Sequence, residues 1–156
     1  MNKNYLIFLK LILKKNTLLR VLQIYECFNI GLHGTSIEFG AIDNKDKTFS
    51  NFVKGKSKFH YSNKISNQKL KVFCSDLTKK LSIPSKKYNN VVFFNILEHL
   101  PEYKLAFLEI YRIMKKGGFF IGSVPFIYQI HGAPKDYFRF SKQFIIANLK
   151  KMGLEM

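Results

Sequence analysis

The chain has 156 residues, 47% of them hydrophobic and 15% aromatic, with 26 Lys and Arg against 10 Asp and Glu for a formal net charge of +16. That length and apolar fraction exclude a disordered tail and allow one domain with its own core. The charge would suit a polyanion, but Arg20, Arg112 and Arg139 are the only arginines. Readers of phosphate or guanine draw on guanidinium forks, so the lysines read as a solvated face and a nucleic-acid partner is disfavoured.

The first segment, "MNKNYLIFLKLILKK", has a basic start and an apolar middle. Lys10 interrupts the apolar run and no small-residue cleavage site follows, which argues against an export signal. Lys14, Lys15 and Arg20 break any run of about 20 apolar residues that could cross a bilayer. Lys3, Lys10 and Lys14 share one helical face, so residues 1–35 are expected to form an amphipathic helical leader. Its apolar side is expected to pack on the protein's own sheet, with peripheral membrane contact as the alternative. Cys27 and Cys74 lack CxxC spacing and neighbouring ligands, so they are expected to be reduced thiols in a cytoplasmic protein, with no metal site.

From residue 36 to 156 a single domain is expected, built of alternating strands and helices. "TSIEFG", "KFHYS", "LKVFCS", "NVVFFNI" and "GFFIGSVPF" are short, β-branched or aromatic, and bounded by Asn, Ser, Lys or Gly. "DKTFSNFVKG" and "PEYKLAFLEIYRIMKK" have helical spacing, and "KQFIIANLKKM" closes the series. In the second of these, Pro101 suits a first turn, Lys115 and Lys116 a last turn, and Gly117 a cap. Leu105, Leu108 and Ile110 to Met114 are expected to be its buried side. The alternation implies an α/β fold with a doubly wound, mostly parallel sheet covered on both faces.

In such sheets a ligand lies beyond the carboxyl ends of the strands, near the point where strand order reverses. Strand one delivers Glu38 and Gly40, strand two Ser62 and Asn63, and strand three Ser75, Asp76 and Leu77. Strand four delivers Asn95, Glu98 and His99. Strand five runs into "IYQIHGAPKDYFRFS", dense in polar residues among aromatics, which suggests a pocket rim.

The ordered set "SIEFGA", "SDL", "NVVFFNILEHLPEYKLAFLEIYRIMKKGGFFIGSVPF" and "HGAPKDYFRFS" resembles the class I S-adenosylmethionine-dependent methyltransferases, in particular the methyltransferase type 11 family. The resemblance implies a Rossmann-like domain that binds S-adenosyl-L-methionine and methylates a small-molecule or glycan-related acceptor. It implies that Gly40 lets the backbone approach the cofactor and that Glu38 steadies the turn or the cofactor's amino group. Asn63 would face the ribose, Asp76 and Leu77 the adenine, and Asn95 the methionine end. His131, Asp136, Tyr137 and Arg139 would be candidates for substrate, although an Asp136–Arg139 pair fixing the loop is the favoured reading. No catalytic residue is assigned, because an in-line methyl transfer chiefly requires alignment.

Plainer readings accompany several of these. Asp76 suits the start of a turn, Glu98 and His99 a helix-entry network with His99 on backbone, and "KKGG" a helix cap. The first loop keeps one glycine where relatives have more, and the strand-two acid is Asn63. Relatives continue through two further strands, so the fold is expected to stop after the helix following strand five. Strand five would then be an open apolar edge that a homodimer could cover. The alternative functions are a truncated, non-catalytic methyltransferase-like protein and a basic membrane-surface protein. A nicotinamide-dependent reductase is disfavoured, since no G-x-G-x-x-G follows strand one.

Overall fold

The computed structural model describes residues 16–41, 48–63, 72–132 and 135–155, together with residues 6, 9, 10, 12 and 13 of the leader. Helix α1 is Leu18–Cys27, followed by strand β1 at Gly34–Phe39, β2 at Ser57–Asn63, β3 at Val72–Cys74 and β4 at Tyr88–Phe94. Helix α2 is Tyr103–Ile113, β5 is Met114–Ser123 and α3 is Lys142–Lys151. All five strands expected from sequence are present. They form one sheet in the order β3-β2-β1-β4-β5, and every neighbouring pair is parallel. This is the doubly wound Rossmann-like arrangement, with its reversal between β1 and β4.

Strand alternation sends successive side chains to opposite faces. Ile37 and Phe39 of β1 and Val91 and Phe93 of β4 enter one core with Ala106, Phe107, Ile110 and Ile113 of α2 and Leu149 of α3. Val92 faces the other core, formed with Val21, Ile24, Cys27 and Phe28 of α1 and its exit, and with Leu32 and Phe49. The second half of the expected leader therefore belongs to the domain's packing, and β1 already starts at Gly34. Thr17 caps α1 by accepting from the Arg20 amide at 3.3 Å.

The described part of the leader's first half behaves differently. Residues 6, 9, 10, 12 and 13 are helical, but Leu6, Leu9, Ile12 and Leu13 are exposed, as are Leu18 and Leu22 of α1. Among the described residues, the leader joins the core through α1 and its exit, Phe28 to Leu32. No described helix is long and apolar enough to cross a membrane.

Three local expectations are corrected. Helix "DKTFSNFVKG" is, within its described part, a single 3-10 turn at Phe49–Asn51; Asp46 and Lys47 lie outside the described residues. Glu38 takes the Phe49 and Ser50 amides that a continuing helix would present to its own turns. Helix α2 ends at Ile113, so "KKGG" is the irregular start of β5 and not a cap. Met114 already pairs with Tyr88, and the register shifts before Asn90 meets Phe119. Finally, Leu108 is 58% exposed; the buried side of α2 is Ala106, Phe107, Ile110 and Ile113, the spacing of one helical face.

Strand β5 forms one edge of the sheet, and Phe119 on it is 63% exposed. Arg112 is used internally. It pairs with Glu109 at 2.5 Å and donates to the Ile83 and Leu81 carbonyls, tying the segment before β4 to α2. Cys27 is buried and Cys74 exposed, and neither forms a disulfide.

Candidate functional site

A cavity of about 750 Å³ opens at the carboxyl ends of β1, β2, β3 and β4, within the size range of small-molecule sites. Glu38, Gly40, Asn63, Asp76, Leu77 and Asn95 all line it. Among the residues weighed for substrate, His131 and Tyr137 reach it as well, together with His99 and Lys135. Asp43 and Ile42 of the first loop lie outside the described residues.

Gly40 ends β1 at φ +72°, a left-handed conformation that side chains disfavour. A Cβ there would stand 3.0 Å from Ile96 Cδ1, so the backbone favours glycine here and any side chain would also press Ile96 aside. Its amide donates to the Ser62 carbonyl at 2.8 Å, which carries the β1–β2 pairing into the turn.

Glu38 is buried, and its two carboxylate oxygens accept from the amides of Phe49 and Ser50 at 2.8 and 2.9 Å. Of its two expected roles, the turn-steadying one is visible. Burial raises its carboxyl above the ordinary range, against the pull of the Ser50 and Phe49 bonds and of Arg20. Asn63 donates from Nδ2 to the Ala41 carbonyl at 2.9 Å, joining the end of β2 to the first loop. Asp76 Oδ1 accepts from the Thr78 amide at 3.0 Å and from its hydroxyl at 2.6 Å, an Asx turn. Leu77 beside it is buried.

Asn95 has φ +54°, a conformation asparagine tolerates better than most residues. Its amide makes a reciprocal pair with Gln23 of α1, accepting at 2.8 Å and donating at 3.0 Å. Gln23 also donates to Ser123 Oγ at 2.6 Å. The Asn95 side chain thus locks α1 over the ends of β4 and β5, and its contribution to the cavity is the wall it holds.

Sequence reasoning passed over Arg20. It projects from α1 into the cavity wall with its guanidinium 3.7 Å above the Phe49 ring, and Phe49 is stacked on Phe94 at 4.0 Å. Its Nη2 is buried with no hydrogen-bond partner among the described residues. Burial lowers its pKa, against the charge of Glu38. Arg112 and Arg139 are both spent on ion pairs, so a cavity-lining arginine with an unpaired N–H stands apart. The available signal was its placement in a helix that packs across the end of β1, which periodicity alone does not reveal.

Past β4 the chain makes a 3-10 turn at Leu97–His99. Glu98 is wholly buried, neither of its oxygens has a hydrogen-bond partner among the described residues, and burial pushes its carboxyl up to about 7. His99 Nδ1 lies 2.7 Å from the Lys135 carbonyl, the backbone contact expected of it. Asp136 and Arg139 form a bidentate pair. Asp136 also accepts from the His131 amide at 3.0 Å, and Arg139 donates to the Phe138 and Gln129 carbonyls. These two residues fix the loop, and neither lines the cavity.

Three comparisons bear on this geometry. The methyltransferase domain family matches residues 46–122, the stretch holding β2 through most of β5. Among solved structures, the methyltransferase in complex with the Haloferax volcanii Trm112 methyltransferase activator superposes with a TM-score of 0.61 at 14% identity, over 85% of this chain and 66% of that one. An S-adenosylmethionine-dependent methyltransferase from Aquifex aeolicus superposes with a TM-score of 0.59 at 15% identity, over 85% and 78%. The cyclase SpnF does so at 0.55 and 13%, over 86% and 56%. The chain therefore spans about two thirds or less of the length of two of these three. No curated protein matches it.

Proposed function

We propose that this member of the class I methyltransferase family binds S-adenosyl-L-methionine in the cavity beyond β1 and β4 and transfers its methyl group to a small-molecule or glycan-related acceptor. The observation that carries the reading is the convergence of Gly40, Asn63, Asp76, Leu77 and Asn95 on one cavity, beside the buried, unpaired Nη2 of Arg20. The donor set fits the cofactor's chemistry. A guanidinium N–H suits the methionine carboxylate, Leu77 and Ile96 offer apolar surface to a purine, and Gly40 permits close backbone approach.

When bound, the cofactor supplies a methyl group on an electrophilic sulfonium. The residues of this chain have the tasks of orientation and exclusion of water. Arg20, held by Phe49 from below, fixes the carboxylate end. The Gln23–Asn95–Ser123 bonds hold α1 against the sheet so that Arg20 stays aimed. His99, His131, Lys135 and Tyr137 add polar side chains to the lining, which suits a hydroxyl-bearing acceptor.

Calorimetric titration with S-adenosylmethionine and with S-adenosylhomocysteine tests the reading. Both are expected to bind in the micromolar range or weaker, about −8 kcal/mol or less favourable, with NADH inert. Absence of heat with both ligands, from folded protein, would remove it. Because a cyclase shares the fold, turnover needs its own assay, and binding without methyl transfer to any of a panel of hydroxylated acceptors would favour the non-catalytic alternative.

A second reading concerns the leader, where Leu6, Leu9, Ile12 and Leu13 are exposed on a helical segment that also carries lysines. We propose peripheral contact with an anionic membrane surface. Flotation with anionic vesicles is expected to be salt-sensitive and to be lost when these four residues become serine. The exposed edge of β5 also suits pairing with a second copy, and the sedimentation coefficient of a monomer, kept up to high concentration, would exclude it.

A further inference from the structure

Behind the cavity wall formed by His99 and His131, Glu98, His99 and His131 bring one potential ligand atom each to within 4.8 Å of one another. We propose that these three side chains bind a divalent transition cation of the zinc class, a site that lies outside the cofactor reading and does not depend on it.

The hydrogen bonds around the trio set each imidazole in the same way. His99 Nδ1 is 2.7 Å from the Lys135 carbonyl, and since a carbonyl only accepts, that nitrogen carries the proton and Nε2 presents its lone pair. His131 Nδ1 is 3.0 Å from Asp136 Oδ2 and 3.3 Å from the Gln129 carbonyl, two acceptors that again place the proton on Nδ1 and leave Nε2 as the donor of a lone pair. Histidine ligands of metals are oriented by this same outer bond to a carboxylate or carbonyl. Asp136 is itself held by Arg139, so the support extends one layer further.

Glu98 supplies the third observation. It is fully buried, and both carboxylate oxygens lack a hydrogen-bond partner among the described residues, a costly state for an anion unless a cation or donor compensates it. Its Oε1 lies 3.8 Å from His99 Nε2. Ligands about 2.0 to 2.1 Å from a tetrahedral zinc stand about 3.3 Å apart, so about half an ångström of contraction would close that edge. The two rings stand edge to face with centroids 4.9 Å apart, which lets both Nε2 atoms turn toward a common point. The backbone holds the two halves of the site together, since the Tyr137 amide donates to the Glu98 carbonyl at 2.8 Å.

A Glu–His–His set suits zinc, cobalt and ferrous iron better than magnesium or calcium, which prefer all-oxygen shells. Three protein ligands leave one position for water or a hydroxyl oxygen of an acceptor.

The test uses the full chain without an affinity tag, stripped by chelator and titrated with Co²⁺ and Zn²⁺ in the absence of any sulfonium cofactor. One equivalent of Co²⁺ is expected to bind and to give the visible absorption of a low-coordinate site, displaced by Zn²⁺. His131→Ala and His99→Ala are each expected to weaken Zn²⁺ binding at least tenfold, while His33→Ala and Cys74→Ser leave it unchanged. His131 is partly exposed, so its variant remains informative if Glu98→Gln does not fold. No saturable uptake by the folded parent overturns the proposal, as does uptake that His131→Ala and His99→Ala leave intact. Neither result touches cofactor binding, which is read by a separate titration.

Discussion

Replacing Arg20 with alanine separates a carboxylate clamp from a general support of the cavity. The guanidinium lies 3.7 Å over Phe49 and its Nη2 has no partner among the described residues, so its placement is fixed before any ligand arrives. A charge-assisted hydrogen bond is worth about 1.5 to 3 kcal/mol. At about 1.4 kcal/mol per tenfold, its loss weakens S-adenosylhomocysteine binding roughly 10- to 150-fold. The same substitution removes a cation–π contact of about 0.5 to 1 kcal/mol, which lowers the melting temperature by roughly 1 to 4 °C for a chain of this size. Calorimetry with S-adenosylhomocysteine and with 5′-methylthioadenosine, which lacks the carboxylate, reads the two contributions apart. The first ligand is expected to lose affinity and the second to keep it within about twofold. Equal weakening of both would refute the assignment of Arg20 to the carboxylate end.

Glu38→Gln turns one acceptor into a donor facing a backbone amide, so thermal unfolding is expected to move down by about 1 to 3 kcal/mol in stability; an unchanged midpoint would mean the Phe49 and Ser50 amides have other acceptors. Asn63→Asp removes the donor to the Ala41 carbonyl, which is expected to lower stability by about 0.5 to 1.5 kcal/mol, and it offers a ribose hydroxyl a carboxylate, which is expected to tighten cofactor binding roughly tenfold in calorimetry; unchanged affinity from folded protein would refute the ribose role. The Arg139 guanidinium holds Asp136 well below the usual carboxylate range. Because the folded value lies under the unfolded one of about 3.9, this stabilisation is fully present above that pH and is lost as pH falls toward the folded value. Urea midpoints taken at about pH 6 and about pH 3 should therefore differ less for Asp136→Asn than for the parent, and parallel behaviour of the two would contradict the pairing.

Much of the architecture was legible locally. Runs such as "NVVFFNI" and "TSIEFG" favour strands through β-branched and aromatic side chains, and their alternation with "LAFLEIYRI" implies a parallel sheet wherever it is read. The rule that ligands gather beyond the strand ends then picked out Glu38, Gly40, Asn63, Asp76, Leu77 and Asn95, which share one cavity. Their individual partners were not legible. Glu38 accepts from the first amides of the 3-10 turn at Phe49, Asn95 pairs with a glutamine 72 residues away, Arg20 lies over an aromatic stack, and His131 comes close to Glu98 and His99. Periodicity encodes which face a side chain takes, because that depends on neighbours three or four residues away. Which polar atom it meets depends on how distant segments cross, and only the packed sheet and its two covering layers bring those atoms within bonding distance.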